Sequence, residues 1–240
     1  MRVALVTGAA RGQGRAIAER LAKDGLAVIA CDTDVAELAA MASDSVGDRI
    51  VGRELDVTSR AQWNDVVSDA VGEFGTLNVL INNAGVLHRT PIEKETEQGF
   101  TKTWQVNCLG PFLGIQAALP HLREADNPSI VNTCSTGALR AFPNHAAYGS
   151  SKWALRGLTQ TLAAEFTPWR IRVNAVFPGP IRTPMLSADT QARLAPSMAW
   201  GRLGEATEVA AAVSFLASAE ASFVTGAELT VDGGQVLQVG

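Results

Sequence analysis

The apolar residues of this chain fall in short unbroken blocks separated by longer stretches of helical period. Residues 2–7, 26–31, 49–55, 77–81, 129–134, 170–177 and 228–231 are blocks of strand length, dominated by Val, Ile, Leu and Ala. Continuous apolar runs, rather than alternating ones, suit strands buried on both faces, the condition inside a parallel sheet. Between them, residues 15–22, a segment opening near Asp34, and residues 59–74, 101–124, 147–167 and 205–217 place apolar positions at helical spacing. Strands that alternate with helices from end to end, with no linker or repeat, predict an α/β fold. The expected architecture is a single domain over residues 1–240, a doubly wound sheet of about seven parallel strands with helices on both faces. Residues 181–203 break the pattern, with weak periodicity and several Pro and Gly breakers, so a loop with short helical pieces is expected there. Irregular segments of that length usually serve function, and a substrate lid is the expected role.

In such a sheet the ligand site lies beyond the carboxyl ends of the strands. The polar and glycine-rich stretches fall there. The first block ends in Gly8-Ala-Ala-Arg11-Gly12-Gln13-Gly14, ahead of a helix. Glycines let a backbone approach a pyrophosphate, which then rests on the free amides and positive end of the helix. The second block ends at Asp32, where a carboxylate suits the ribose hydroxyls of NAD and repels the 2′-phosphate of NADP. Capping the helix near Asp34 is the plainer role for Asp32, and Arg11 is a counter-signal toward NADP because a basic side chain there could reach a phosphate. Asp56, Asn82-Asn83-Ala84-Gly85, Ser135 and Pro178-Gly179 close later blocks in the same way.

Tyr148 and Lys152 lie on the helix expected over 147–167, spaced so that both project from one face. A phenol with a reference pKa of about 10 is a poor base at neutral pH, and a neighbouring ammonium would favour its phenolate. Ser135 could hold the oxygen of an alcohol or carbonyl beside them. Tyr148 is the only tyrosine in the chain. Pro111, inside the 101–124 segment that also carries Asn107, leaves a backbone carbonyl unpaired and invites a kink.

Composition narrows the partners. The net charge of −4 argues against nucleic acid or a membrane surface, and 47% hydrophobic with 18% charged residues suits a compact soluble protein. Cys31, Cys108 and Cys134 have no CxxC spacing, so neither a zinc site nor a disulfide framework is expected, and no metal. The block at Val3–Val6 reads as a buried strand rather than a signal peptide, and no apolar run reaches membrane length; a cytoplasmic location is the expectation.

Taken together, Thr7-Gly8-x3-Gly12-x-Gly14, Asp56, Asn82-Asn83-Ala84-Gly85, Asn107, Ser135, Tyr148-x3-Lys152, Pro178-Gly179 and Thr183 resemble the short-chain dehydrogenase/reductase family over essentially the whole chain. The stretch from Tyr148 to Thr183-Pro184-Met185 is similar to bacterial NAD-dependent hydroxysteroid and cyclic-alcohol dehydrogenases. The resemblance implies that Tyr148 is the general acid or base, that Lys152 lowers its pKa and holds the nicotinamide ribose, and that Ser135 orients the reacting oxygen. It implies that Asn107 seats a water in a proton relay, that Asp56 and Val57 contact adenine, and that Asn83, Ala84 and Gly85 line the adenosine side. Ile181 and Thr183 would hold the nicotinamide carboxamide. It also implies a homotetramer, to which the 101–124 and 147–167 helices could offer Phe112, Leu119, Leu158, Leu162 and Phe166, unless these side chains face the sheet. Gln13, where the family usually has Ile or Leu, and Cys134, where serine is common, depart from the pattern.

The expected function is hydride transfer between NAD(H) and a secondary alcohol or ketone, cyclic or otherwise bulky and apolar. Ala138, Leu139, Phe142, His145, Met185, Leu186 and Trp200 are the candidate pocket residues, with a solvated loop position the alternative for His145. A 3-oxoacyl-carrier-protein reductase using NADPH is the alternative function, and a non-catalytic dinucleotide-binding regulator a remote one.

Overall fold

A computed structural model describes residues 1–43 and 49–237. Seven strands form one sheet: β1 (Val3–Thr7), β2 (Ala27–Asp32), β3 (Ile50–Glu54), β4 (Val79–Asn82), β5 (Ser129–Thr133), β6 (Arg172–Pro178) and, last in the chain, β9 (Glu228–Val231). Their order is β3-β2-β1-β4-β5-β6-β9 and every pairing is parallel. The chain winds outward from β1 to β3, then restarts at β4 on the other side of β1. That reversal makes the β1/β4 boundary the switch point at which ligands bind.

The helices are α1 (Gly12–Lys23), α2 (Val35–Ser43), α3 (Arg60–Phe74), α4 (Glu97–Trp104), α5 (Gly110–Glu124), α6 (Ala146–Glu165), α7 (Ala188–Leu194) and α8 (Ala206–Ala217). Successive strand residues point to opposite faces. Ala4, Val6, Val28 and Ala30 therefore pack with Ile17 and Leu21 of α1, Leu38 of α2 and Val209 and Val213 of α8. Val3, Leu5, Ala27 and Ile29 pack on the other face with Trp63 and Val66 of α3, Leu113 of α5 and Ala163 of α6. Two apolar layers thus sandwich a sheet whose interior strands show no polar face.

Three details differ from the sequence expectations. The helix expected to begin at 101 begins at Glu97, because Thr96 caps it by accepting the Gly99 amide at 3.0 Å. It joins α5 through one π-helical stretch, Gln105–Leu109, in place of a simple proline kink. Residues 181–203 contain α7, as a short helical piece, but are also closed at their base by a two-stranded pair, β7 (Ile181–Arg182) with β8 (Gly204–Glu205). Of the residues considered for an outer apolar surface, Phe166 is buried in the core, whereas Phe112 is exposed, as are Leu109 and Trp153. Among the described residues no helix is long and apolar enough to cross a membrane.

Candidate active site

A cleft of about 1450 Å³ runs along the carboxyl ends of the strands. Every residue expected to touch the cofactor lines it: Gly8, Arg11, Gln13, Gly14, Asp32, Asp56, Val57, Asn83, Ala84, Gly85, Tyr148, Lys152, Pro178, Gly179, Ile181 and Thr183. Ser135 lines it too, and so do Phe142, His145, Met185 and Leu186.

The glycine loop is a cradle with no room for side chains. Gly8 has φ +65°, and a Cβ on it would lie 2.8 Å from the Ala84 Cα; a Cβ on Gly14 would lie 1.9 Å from the Gly8 carbonyl oxygen. The amides that open α1 have no side-chain cap from Arg11, which leaves the helix end open to an anion. The Gln13 amide oxygen is buried without a hydrogen-bond partner. An open helix end and an orphaned acceptor in one cradle fit a dinucleotide that brings both phosphates and hydroxyl or amide donors. Asp32 closes β2 with its carboxylate held by two backbone donors, Ala10 N at 3.1 Å and Asp34 N at 3.2 Å. Asp34, not Asp32, caps α2, through the Glu37 amide at 3.3 Å. Arg11 is exposed, with its guanidinium 3.9 Å from the Asp34 carboxylate.

Ser135, Tyr148 and Lys152 line the cleft together. Ser135 follows β5 in extended conformation and accepts the Gly137 amide at 3.0 Å. Tyr148 and Lys152 rise from α6, with the Lys152 ammonium 6.0 Å from the phenol ring centre and donating to the Thr133 carbonyl at 2.8 Å. Burial pushes the Lys152 pKa down, with Cys134 and Cys108 opposing it more weakly. The Tyr148 phenol is pushed up, by burial first, while a hydrogen bond with Ser135 and the Arg89 charge pull the other way. The expected lowering of the phenol's pKa is therefore not the net result in the free protein, because desolvation outweighs the cations around it.

Asn107 sits in the π-helical stretch and does not line the cleft. It is fully buried, and its side chain is spent on structure: Oδ1 accepts the Val86 amide at 2.9 Å, and Nδ2 donates to the Val86 carbonyl at 3.0 Å and to Ser151 Oγ at 3.1 Å.

Three pocket expectations are corrected. Ala138 is fully buried and packs with Cys134, Leu155, Ala175 and Phe177 beneath the cleft, because the short turn after Ser135 folds it inward; Leu139 packs against that cluster as well. Trp200 is 68% exposed and lies off the cleft, with the Arg202 guanidinium over its ring. Cys134 is a buried thiol pushed up to about 12, which accords with packing. Arg89, Lys102, Arg193 and Gln235 line the cleft without having been expected. Gln235 had a legible neighbour: Asp232 accepts the Gly234 and Val236 amides and so turns the chain inward.

The sequence family described as enoyl-(acyl carrier protein) reductase matches residues 8–235. The chain belongs to the short-chain dehydrogenase/reductase family. It is 40% identical to the trans-4-hydroxycyclohexanecarboxylate dehydrogenase of Sinomonas cyclohexanicum, over 98% of this chain and 92% of the relative. It is also 40% identical to the 3-alpha-(or 20-beta)-hydroxysteroid dehydrogenase of Mycobacterium tuberculosis, over 98% of this chain and 89% of that one. A solved 3-ketoacyl-(acyl-carrier-protein) reductase from Brucella melitensis, complexed with NADH, superposes with a TM-score of 0.93 at 35% identity, covering 98% of both chains. This short-chain dehydrogenase/reductase therefore has a dinucleotide-binding fold, which implies NAD(P) use.

Proposed function

We propose that the protein is an NAD-dependent dehydrogenase of cyclic secondary alcohols, acting equally as a reductase of the matching ketones. One observation carries the cofactor preference. The Asp32 carboxylate is fixed at the end of β2 by two backbone amides, so a negative charge meets the position of the adenosine ribose. Its oxygens retain lone pairs for two hydroxyls, and a 2′-phosphate there would face like charge. Arg11 is partly compensated by Asp34 and is exposed, which weakens its claim on a phosphate.

The relatives that act on hydroxycyclohexanecarboxylate and hydroxysteroids support a ring alcohol as the substrate class. A bound nicotinamide dinucleotide supplies the hydride acceptor or donor; the protein supplies geometry and proton handling. Ser135 donates a hydrogen bond to the substrate oxygen. Tyr148 takes the hydroxyl proton during oxidation and returns it during reduction. Lys152 holds its ammonium beside the phenol and offers the remaining N–H groups to a ribose. The Asn107 backbone carbonyl seats a water behind the lysine. Phe142, Met185 and Leu186 give the substrate an apolar wall, and residues 181–203 close over it as a lid. A homotetramer and a cytoplasmic setting complete the reading.

The test is a parallel titration with NADH and NADPH, followed by the fluorescence of bound nicotinamide. NADH binding at least about tenfold tighter than NADPH binding is expected from one repelled phosphate charge. A preference for NADPH would promote the 3-oxoacyl-carrier-protein reductase reading; because the Brucella melitensis reductase was solved with NADH, a preference for NADH is followed by turnover of a ring alcohol with NAD, which separates the two readings.

A further inference from the structure

Among the described residues the cleft is lined by two carboxylates, Asp32 and Asp56, and by five cations, Arg11, Arg89, Lys102, Lys152 and Arg193. Arg89, hydrogen-bonded to His145, puts one of these cations beside Phe142 and Tyr148, where a pocket meant only for neutral apolar rings would need none.

Arg89 is held in place there. Thr90 bridges to His145, and its amide donates to the Asn144 carbonyl at 2.9 Å, so the loop carrying Arg89 is strapped to the loop carrying His145. His145 Nδ1 lies 2.6 Å from the Pro143 carbonyl, which can only accept, so Nδ1 carries the proton. Its Nε2 is then an acceptor, and Arg89 Nε donates to it at 3.0 Å. This bond fixes the guanidinium plane through its inner nitrogen and leaves both terminal nitrogens without a partner among the described residues. The nearby Glu95 does not neutralise it, being engaged by His88 at 3.0 Å and by the Thr96 amide at 2.9 Å. The His145 ring is in turn 6.1 Å from the Tyr148 ring, edge-on, and 5.9 Å from Phe142. Arg89 therefore stands one hydrogen bond and one ring contact from the reacting phenol.

We propose that Arg89 is a specificity-determining residue that binds a carboxylate on the substrate, so that the preferred substrates are compact ring alcohols bearing an acid group. The free edge of an oriented guanidinium matches a carboxylate bidentately, with two parallel N–H···O bonds. The carbinol would then sit at Tyr148 and Ser135, the ring against Phe142, and the acid at Arg89. The proposal rests on the cleft being an alcohol dehydrogenase site.

The experiment pairs turnover with binding. Turnover with NAD is compared for 4-hydroxycyclohexanecarboxylate and its neutral methyl ester, in the wild type, Arg89→Lys and Arg89→Gln. The wild type should favour the acid in kcat/KM by about tenfold or more, the effect of a single charge-assisted hydrogen bond. That preference should collapse in R89Q and survive only in part in R89K, which keeps the charge but loses the fork. Binding of cyclohexanecarboxylate and of cyclohexylmethanol, neither a secondary alcohol, is followed by NMR on the same three proteins. Acid-selective binding lost in R89Q supports the carboxylate site even if no alcohol is oxidised, in which case only the dehydrogenase reading falls. Equal handling of acid and ester by an active wild type, or an acid preference untouched in R89Q, overturns the proposal. Stronger binding of inorganic phosphate than of the carboxylate at Arg89 would overturn it as well. Arg89 is exposed on a loop, so both variants should fold.

Discussion

The Thr7 hydroxyl accepts the backbone amides of Asn83 at 3.1 Å and Ala84 at 3.0 Å. One side chain at the end of β1 thereby fixes the turn after β4 across the switch point, and the Asn83 amide group returns to the Thr7 carbonyl at 3.0 Å. Thr7→Val, nearly the same shape, would strand the Ala84 amide and leave the Asn83 amide only the Ile81 carbonyl at 3.1 Å, at a cost of about 1–3 kcal/mol for an unsatisfied buried donor. Urea unfolding should show that loss, NADH affinity should fall with it, and Thr7→Ser should retain both.

Glycine substitutions should diverge sharply by position. A Cβ at Gly14 collides with the Gly8 backbone, whereas one at Gly72 meets nothing within 4 Å. Gly14→Ala should abolish measurable dinucleotide binding. Gly72→Ala, in the interior of α3, should stabilise by about 0.5–1 kcal/mol because the unfolded chain loses freedom and the helix gains propensity. Thermal melts and NADH titrations of the two variants are sufficient to check the contrast.

Asn107 should behave chiefly as a structural residue. Removing its side chain in Asn107→Ala leaves both backbone groups of Val86 unpaired near the cleft floor, with an expected loss of about 2–4 kcal/mol for a broken buried network. The variant should unfold at clearly lower denaturant, and its dinucleotide site should loosen with the Val86 loop. Unchanged stability with lost turnover would instead give the side chain a part in the chemistry, because the substitution keeps the backbone carbonyl.

Lys152 is a buried cation with one acceptor, the Thr133 carbonyl, among the described residues. Lys152→Met should lower turnover by at least about a hundredfold, as expected for a lost proton-handling group. It should also raise the melting temperature by about 2–4 °C, the shift that about 1 kcal/mol produces in a chain of this size. The sign with pH follows from the lowered pKa. Between the folded value and the ordinary 10.5, the unfolded chain binds more protons than the native one, so wild-type stability rises with pH through that window. The gap between variant and wild type should narrow accordingly as pH climbs toward 10.5, which melts at several pH values would reveal.

The raised pKa of Tyr148 sets opposite pH profiles for the two directions. Alcohol oxidation needs the phenolate and should accelerate with pH well into the alkaline range. Ketone reduction needs the phenol and should hold level through neutrality, declining only once the proton is lost. Single-turnover rates in both directions would check the pair.

The seven strands were legible because interior parallel strands are apolar on both faces and leave unbroken runs such as Val3–Val6. The tight turn after β1 was legible because close backbone approach restricts the residue type to glycine, which stands out in any sequence. Arg89 was not, since an arginine in an irregular loop has no period, and its partner His145 lies far along the chain. The same limit misplaced Ala138: an alanine close to Ser135 reads as pocket until the turn direction is known. Thr96 was passed over because its cap sits in a polar run, Glu95-Thr96-Glu97-Gln98, that hides a helix start.

The two ends of the 181–205 segment are clasped side by side by β7 and β8, with Ile181 opposite Gly204 and Arg182 opposite Glu205. A segment whose entry and exit are already joined behaves as an exchangeable cassette. Doubling its length adds only about 0.6 kcal/mol of closure entropy, and none of that strain reaches the sheet. Selection, or an engineer grafting a foreign segment between the clasped residues, could therefore rewrite which molecules are admitted while Ser135, Tyr148 and Lys152 stay where β5 and α6 put them.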